Sequence, residues 1–258
     1  MFFTPFRRSR REPAGTSDVP GDGMHQPADT RRRLHPIHLL FPRWGQQPNP
    51  GSPTSVSTKS NSTNQSKGPT KMTTVSTTPA NNGVNTEALI GARGAFAEAP
   101  VAAQFTFKST CDWIEGTYNR NTISGYFGLG QEHERKRTFS IESDHPEVFA
   151  AADRAPTPTE IVLSALASCL TGGVAAVAQH RGIQLHSVRA TVEGDIDVQG
   201  ILGMDPEIRN GFSAIRVSFE IDADASDEDI RALVAQSQKR SAVFDIVTNP
   251  TNVAVTVS

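Results

Sequence analysis

Thr157-Pro158-Thr159-Glu160 opens the stretch that most constrains how this chain can fold. A threonine ahead of the first helical residue, a proline at that residue and a glutamate three places past the threonine form a capping box that starts a helix. From Ile161 to Ala178 apolar residues fall on nearly every side, so this helix is expected to be buried all round. Ser164, Ser168, Gly172 and Ala176 recur every four residues as a stripe of small side chains. Glycines inside a helix cost about 1 kcal/mol each, and close approach of another backbone is the usual offset. One thin sheet cannot cover a helix on all sides, whereas a second copy of the helix can. The stripe therefore points to a homodimer. His180-Arg181-Gly182 ends the helix, with basic residues in the last turn and glycine past it.

Charge separates this body from what precedes it. Of the 25 basic and 27 acidic residues, 11 and 4 fall in residues 1–71, leaving 14 and 23 for residues 72–258. An acidic body argues against nucleic acid as partner, because phosphate binding needs clustered Lys and Arg. Residues 1–71 are rich in Pro, Ser, Thr, Asn and Gln and show no period of two or 3.6, the pattern of a chain that cannot bury a core. Residues 1–87 are therefore expected to be a disordered basic tail and linker, with Met72 an alternative start, and residues 88–258 the folded domain. A short helix is expected over Thr86 to Glu98. No apolar run follows the early arginines as a signal peptide requires. The most apolar run, Leu163 to Ala178, falls short of the ~20 residues of a membrane span. A soluble, cytoplasmic protein with no membrane partner is the expectation.

Within the body, Phe105, Phe107, Cys111 and Trp113 share a parity, which is strand patterning. Glu115-Gly116-Thr117 reads as a turn and Tyr118 to Phe127 as the returning strand. Residues 128–137 are expected to be a loop, and Phe139 and Ile141 to mark a third strand. Val188 to Val192, continuing through Ile196 and Val198, reads as a strand bent near Gly194. Ile215, Val217, Phe219 and Ile221 alternate with polar residues. Ser226 caps a second helix to about Lys239, and Val253, Val255 and Val257 mark a last strand. The fold class is α+β: an antiparallel sheet with a long buried central helix.

Two cysteines, Cys111 and Cys169, are too few for a disulfide framework. In a reducing compartment a lone cysteine is free to be a reactive thiol. Cys111 shares its strand face with three aromatic residues and is expected in the core. His133, His145, His180 and His186 have no ligand spacing, so no metal is expected. Gly128-x-Gly130 lacks the third glycine and helix of a nucleotide loop, so no cofactor is expected either.

Pro158-Thr159-Glu160-Ile161-Val162-Leu163-Ser164-Ala165-Leu166-Ala167-Ser168-Cys169-Leu170 resembles the cysteine-bearing helix of the OsmC/Ohr family, the osmotically inducible proteins and organic hydroperoxide reductases. Arg181-Gly182-Ile183, Val192 to Asp195, Gly200 to Gly203, Asn210-Gly211-Phe212 and Arg240 to Pro250 resemble its later blocks in order, and Trp113 to Arg120 its first hairpin. The resemblance implies an OsmC-like fold and an intertwined homodimer. It also implies a Cys169 thiolate that attacks a peroxide oxygen to leave a sulfenic acid and an alcohol.

The catalytic set it implies is Cys169 with Arg120 and Glu160. An apolar helix pushes a thiol's pKa up, and a mid-helix site gains little from the helix dipole, so a cation from elsewhere is needed. Arg120 is the candidate by resemblance; it could equally be a solvated strand residue. Glu160 is already explained by the capping box, and nine residues at 100° each put it opposite Cys169. Buried cysteine is also, commonly, just a small apolar residue. Where relatives carry a second cysteine this chain has Ser241, which implies a one-cysteine cycle with an external thiol reductant. The expected function is a thiol-dependent, peroxidase-like enzyme acting on organic or inorganic hydroperoxides. The alternative is a non-catalytic dimeric protein, stress-associated or ligand-binding.

Overall fold

The computed structural model describes residues 79–257. The expected tail, most of the linker and Met72 lie outside these residues. Helix α1 (Thr86–Glu98) has the expected bounds and is capped by Asn85, whose side chain accepts the Ala88 N–H. Just ahead of it the chain is docked, not a free linker. Asn82 Nδ2 donates to the Ile183 carbonyl at 2.8 Å, and its Oδ1 accepts the Leu185 N–H at 2.9 Å. Gln179 Nε2 adds a bond to the Ala80 carbonyl at 2.7 Å.

Two separate antiparallel sheets take the place of the single sheet expected. In the first, β3 (Tyr118–Gly128) is flanked on one side by β1 (Thr106–Phe107) and β2 (Thr110–Glu115), and on the other by β4 (Gln131–Ser143). The turn between β2 and β3 uses Gly116 at φ 55°, a left-handed conformation open to glycine. The charged stretch 131–137, expected as a loop, belongs to β4. Cross-strand pairs such as Phe127 with Glu132 and Gly125 with Glu134 hold it extended despite its polarity. The aromatic parity gathers Phe105, Phe107, Tyr126 and His133 into a stack with neighbouring centroids 5.0–6.1 Å apart. Among the described residues Phe107 and Trp113 are each 74% exposed, and Cys111 is exposed instead of core.

The core sits elsewhere. Helix α2 (Pro158–Arg181) starts with the expected capping box: Thr157 Oγ1 accepts the Glu160 N–H, and Glu160 Oε2 accepts the Thr157 N–H at 2.8 Å. It ends on Gly182 at φ 70°. Its buried residues are Leu166, Leu170, Val174 and Ala178, one stripe four residues apart. Within the single chain, helix α4 (Asp227–Arg240) and the sheet of β5 (Leu185–Asp195) and β6 (Ala214–Ala223) pack on this stripe. Val174, Ala178 and Leu233 form the core centre, ringed by Val177, Ile183, Val188, Phe219 and Ile221. At 24 residues and mean hydropathy 2.0 over its most apolar window, α2 is also long and apolar enough to cross a membrane by length and composition.

The glycine needed for close approach is Gly173, beside the stripe. Ser237 Oγ of α4 donates to the Leu170 carbonyl at 2.6 Å, and a Cβ at Gly173 would overlap that oxygen. Gly172, within the stripe, has nothing within 4 Å of such a Cβ. Three further differences concern the C-terminal half. Val198–Ile201 is a helical turn, α3, begun by Asp197 accepting the Gln199 N–H, instead of a continuing strand. Ala242–Thr248 forms an unexpected helix, α5. Val253, Val255 and Val257 are 81%, 87% and 98% exposed and pair with no strand among the described residues: alternation without a partner's hydrogen bonds makes no strand.

Candidate functional site

Cys169 lies near the middle of α2, half-buried, at the point where the chain turns from α4 into α5. Ser241 makes that turn. Its N–H bonds the Gln238 carbonyl at 3.2 Å, closing α4. Its side chain starts α5 by accepting the Phe244 N–H at 3.1 Å. The same hydroxyl donates to Cys169 Sγ at 3.1 Å. Ser241 is 6% exposed, so this hydrogen bond is shielded from water. The backbone amides of Val243 and Ala242, at the start of α5, also favour the charged form of the sulfur.

Burial pushes the Cys169 thiol up, since a thiolate loses solvation. The Ser241 hydroxyl and the N–H groups of Val243 and Ala242 act the other way by donating to the charged form. Together they outweigh burial and hold the thiol below its usual range. Within the chain these groups are neutral, and no cation is among the causes of the shift.

The structure thus brings together Cys169 and Ser241, 72 residues apart. It does not bring Arg120 or Glu160 to Cys169 within the chain. Arg120 alternates with Asn119 and Asn121 along β3 and sits opposite Glu142 of β4. Its guanidinium donates twice to Glu142 Oε1, at 2.9 and 3.1 Å, and that hydrogen bond holds the Glu142 carboxyl below the usual range. Both side chains are about half exposed. The Glu160 carboxylate is bonded to the Thr157 N–H.

A cleft of about 410 Å³ lies between α2, β6 and α5, lined by Val162, Leu166, Ile215, Val217, Phe244 and Val247 together with the polar Ser213 and Thr248; Cys169 and Ser241 do not line it. Val162, Leu166 and Cys169 follow at spacings of four and three, so they share one side of the helix. Arg209 also lines this cleft. Sequence reasoning missed the cleft and the donor role of Ser241, since both depend on α5. The available signal was Ser241 followed three residues later by Phe244, a short helix start. Among the described residues no three His, Cys, Asp or Glu side chains group as metal ligands do.

Residues 151–256 match the family model described as OsmC-like protein. Among solved structures, the chain is similar to an OsmC like protein from Mycoplasma pneumoniae at 17% identity, covering 55% of this chain and 87% of that one with a TM-score of 0.43. It is also similar to an organic hydroperoxide resistance protein OsmC from Legionella pneumophila, at 18% identity, 56% and 90% coverage and a TM-score of 0.40. No curated protein matches the chain.

Proposed function

From a chain whose residues 151–256 carry an OsmC-like domain, we propose a thiol-dependent, peroxidase-like protein that reduces hydroperoxides at Cys169. The observation that supports this most is the 3.1 Å hydrogen bond from Ser241 to Cys169 Sγ, with the thiol held below its usual range. A thiolate attacks where a thiol does not, and all three donors favour the thiolate. The sulfur attacks one peroxide oxygen and the O–O bond breaks. The second oxygen leaves as an alkoxide that takes up a proton, and Cys169 becomes a sulfenic acid. The cleft of Val162, Leu166 and Phe244 suits an apolar organic group on the peroxide. Ser241 holds no sulfur, so Cys169 returns by an external thiol. One thiol displaces water to give a mixed disulfide, and a second thiol releases Cys169 as the first leaves in a disulfide.

The working unit is a homodimer in a reducing, cytoplasmic setting. The uncovered aromatic face of the first sheet and the uncovered side of α2 support assembly. In the dimer Arg120 has a role beside the thiol, and Glu160 secures the start of the helix that carries it. A second reading, a non-catalytic dimeric stress-associated or ligand-binding protein, is favoured by one observation: Glu142 already engages the Arg120 guanidinium. Peroxide consumption with a dithiol reductant tests the two. Turnover that Cys169→Ser abolishes and Cys111→Ser retains supports the enzyme; no turnover in wild type at excess reductant supports the second reading.

A further inference from the structure

We propose that the cleft between the first sheet and the start of α2 is a thiol-modification site, where Cys111 forms a mixed disulfide with a low-mass, peptide-like thiol. Strand register builds one wall: Cys111 stands opposite Asn121, Asn121 opposite Ile141, and Asn119 opposite Ser143. Residues directly opposite each other point to the same face of a sheet. Pro158 and Ile161 of α2 form the other wall, and the enclosed volume of about 410 Å³ falls in the range of small-molecule sites.

Two independent observations point to a ligand. The exposed Cys111 thiol donates to Asn119 Oδ1 at 3.4 Å, so the sulfur is held at the cleft. Ser143, only 2% exposed, lines the same cleft, and its hydroxyl has no hydrogen-bond partner among the described residues. Buried hydroxyls are normally paired, and a polar group entering the cleft would pair this one. Ser109, Asn119 and Asn121 add hydroxyls and amides, and the lining holds no carboxylate or cation. Walls that both donate and accept without charge suit the amide groups of a small peptide.

The chemistry is thiol–disulfide exchange. The Cys111 thiolate attacks one sulfur of a low-mass disulfide and forms a new S–S bond. The old S–S bond breaks, and its electron pair leaves on the second sulfur, which takes up the proton Cys111 released. Cys111 is oxidised and the departing thiol is reduced. Cys169 takes no part, so this site stands apart from the peroxide reading.

The test uses the full chain carrying Cys169→Ser, with oxidised glutathione and 2-hydroxyethyl disulfide as probes and intact mass as readout. We expect modification of Cys111 to saturate with oxidised glutathione and to run about tenfold faster than with the amide-free disulfide, the worth of one well-made hydrogen bond. Ser143→Ala and Asn121→Leu should erase that preference while leaving the slower reaction unchanged. Rates linear in both disulfides and equal in Ser143→Ala would overturn the proposal, leaving Cys111 an ordinary exposed thiol.

Discussion

Replacing Ser241 by alanine removes one oxygen that serves two partners, and the two losses separate in different assays. The first partner is the Phe244 N–H, bonded at 3.1 Å as the start of α5. Removing such a cap costs about 1 kcal/mol, whatever residue stands at 169. The second partner is Cys169 Sγ at 3.1 Å. A hydrogen bond to a charged group is worth about 1.5–3 kcal/mol, and the low end applies because two N–H donors remain. At about 1.4 kcal/mol per factor of ten, oxidation of Cys169 by cumene hydroperoxide at neutral pH should slow about tenfold. The pH profile carries a sign. Folding holds Cys169 below its ordinary value, so the stability this contact gives is fully present above the unfolded thiol's value, about 8.5. It is lost as pH falls through the lower folded value. Ser241→Ala should therefore move the midpoint of the rate–pH curve upward. In a Cys169→Ala background the same change should cost only the cap, at every pH. An unshifted rate–pH curve in Ser241→Ala would refute the reasoning and leave Ser241 a cap alone.

Gly173→Ala should destabilise by about 1–3 kcal/mol as an overpacked contact, because the new methyl overlaps Ser237 Oγ; urea melts measure it. A Cβ at Gly172 has nothing within 4 Å among the described residues, so the larger Gly172→Leu should act chiefly by blocking assembly. Sedimentation of wild type as a folded monomer at micromolar concentration would overturn the dimer. Asn82→Ala strips partners from the Ile183 carbonyl and Leu185 N–H and should cost about 1–3 kcal/mol, with faster hydrogen exchange at Leu185.

Local chemistry made much of the fold legible. The Thr157-Pro158-Thr159-Glu160 start, the Gly182 stop and the Ser226 cap rest on residues within one turn of each other, and each appears where expected. The alternation of β6 also survives, because β5 supplies its hydrogen bonds. Alternation at Val253, Val255 and Val257 found no such partner and came to nothing. The charged half of β4 shows the converse, a strand made by pairing against its composition. Burial was misread at Cys111 because periodicity says which residues share a face, and what covers that face is set by distant elements. The site suffered most from this limit. Cys169 was visible as a candidate, but its donors come from a seven-residue helix too short to show a period. Its contact with Ser241 spans 72 residues.

The central claim is that Cys169 is a thiolate nucleophile toward peroxide oxygen, and trapping its sulfenic acid tests it most directly. Wild-type protein treated with cumene hydroperoxide and dimedone, digested and mapped by mass, should carry the label on Cys169. Cys111, which lacks the three donors that surround Cys169, should remain unlabelled. Cys169 left unlabelled and unoxidised at excess peroxide would contradict the account.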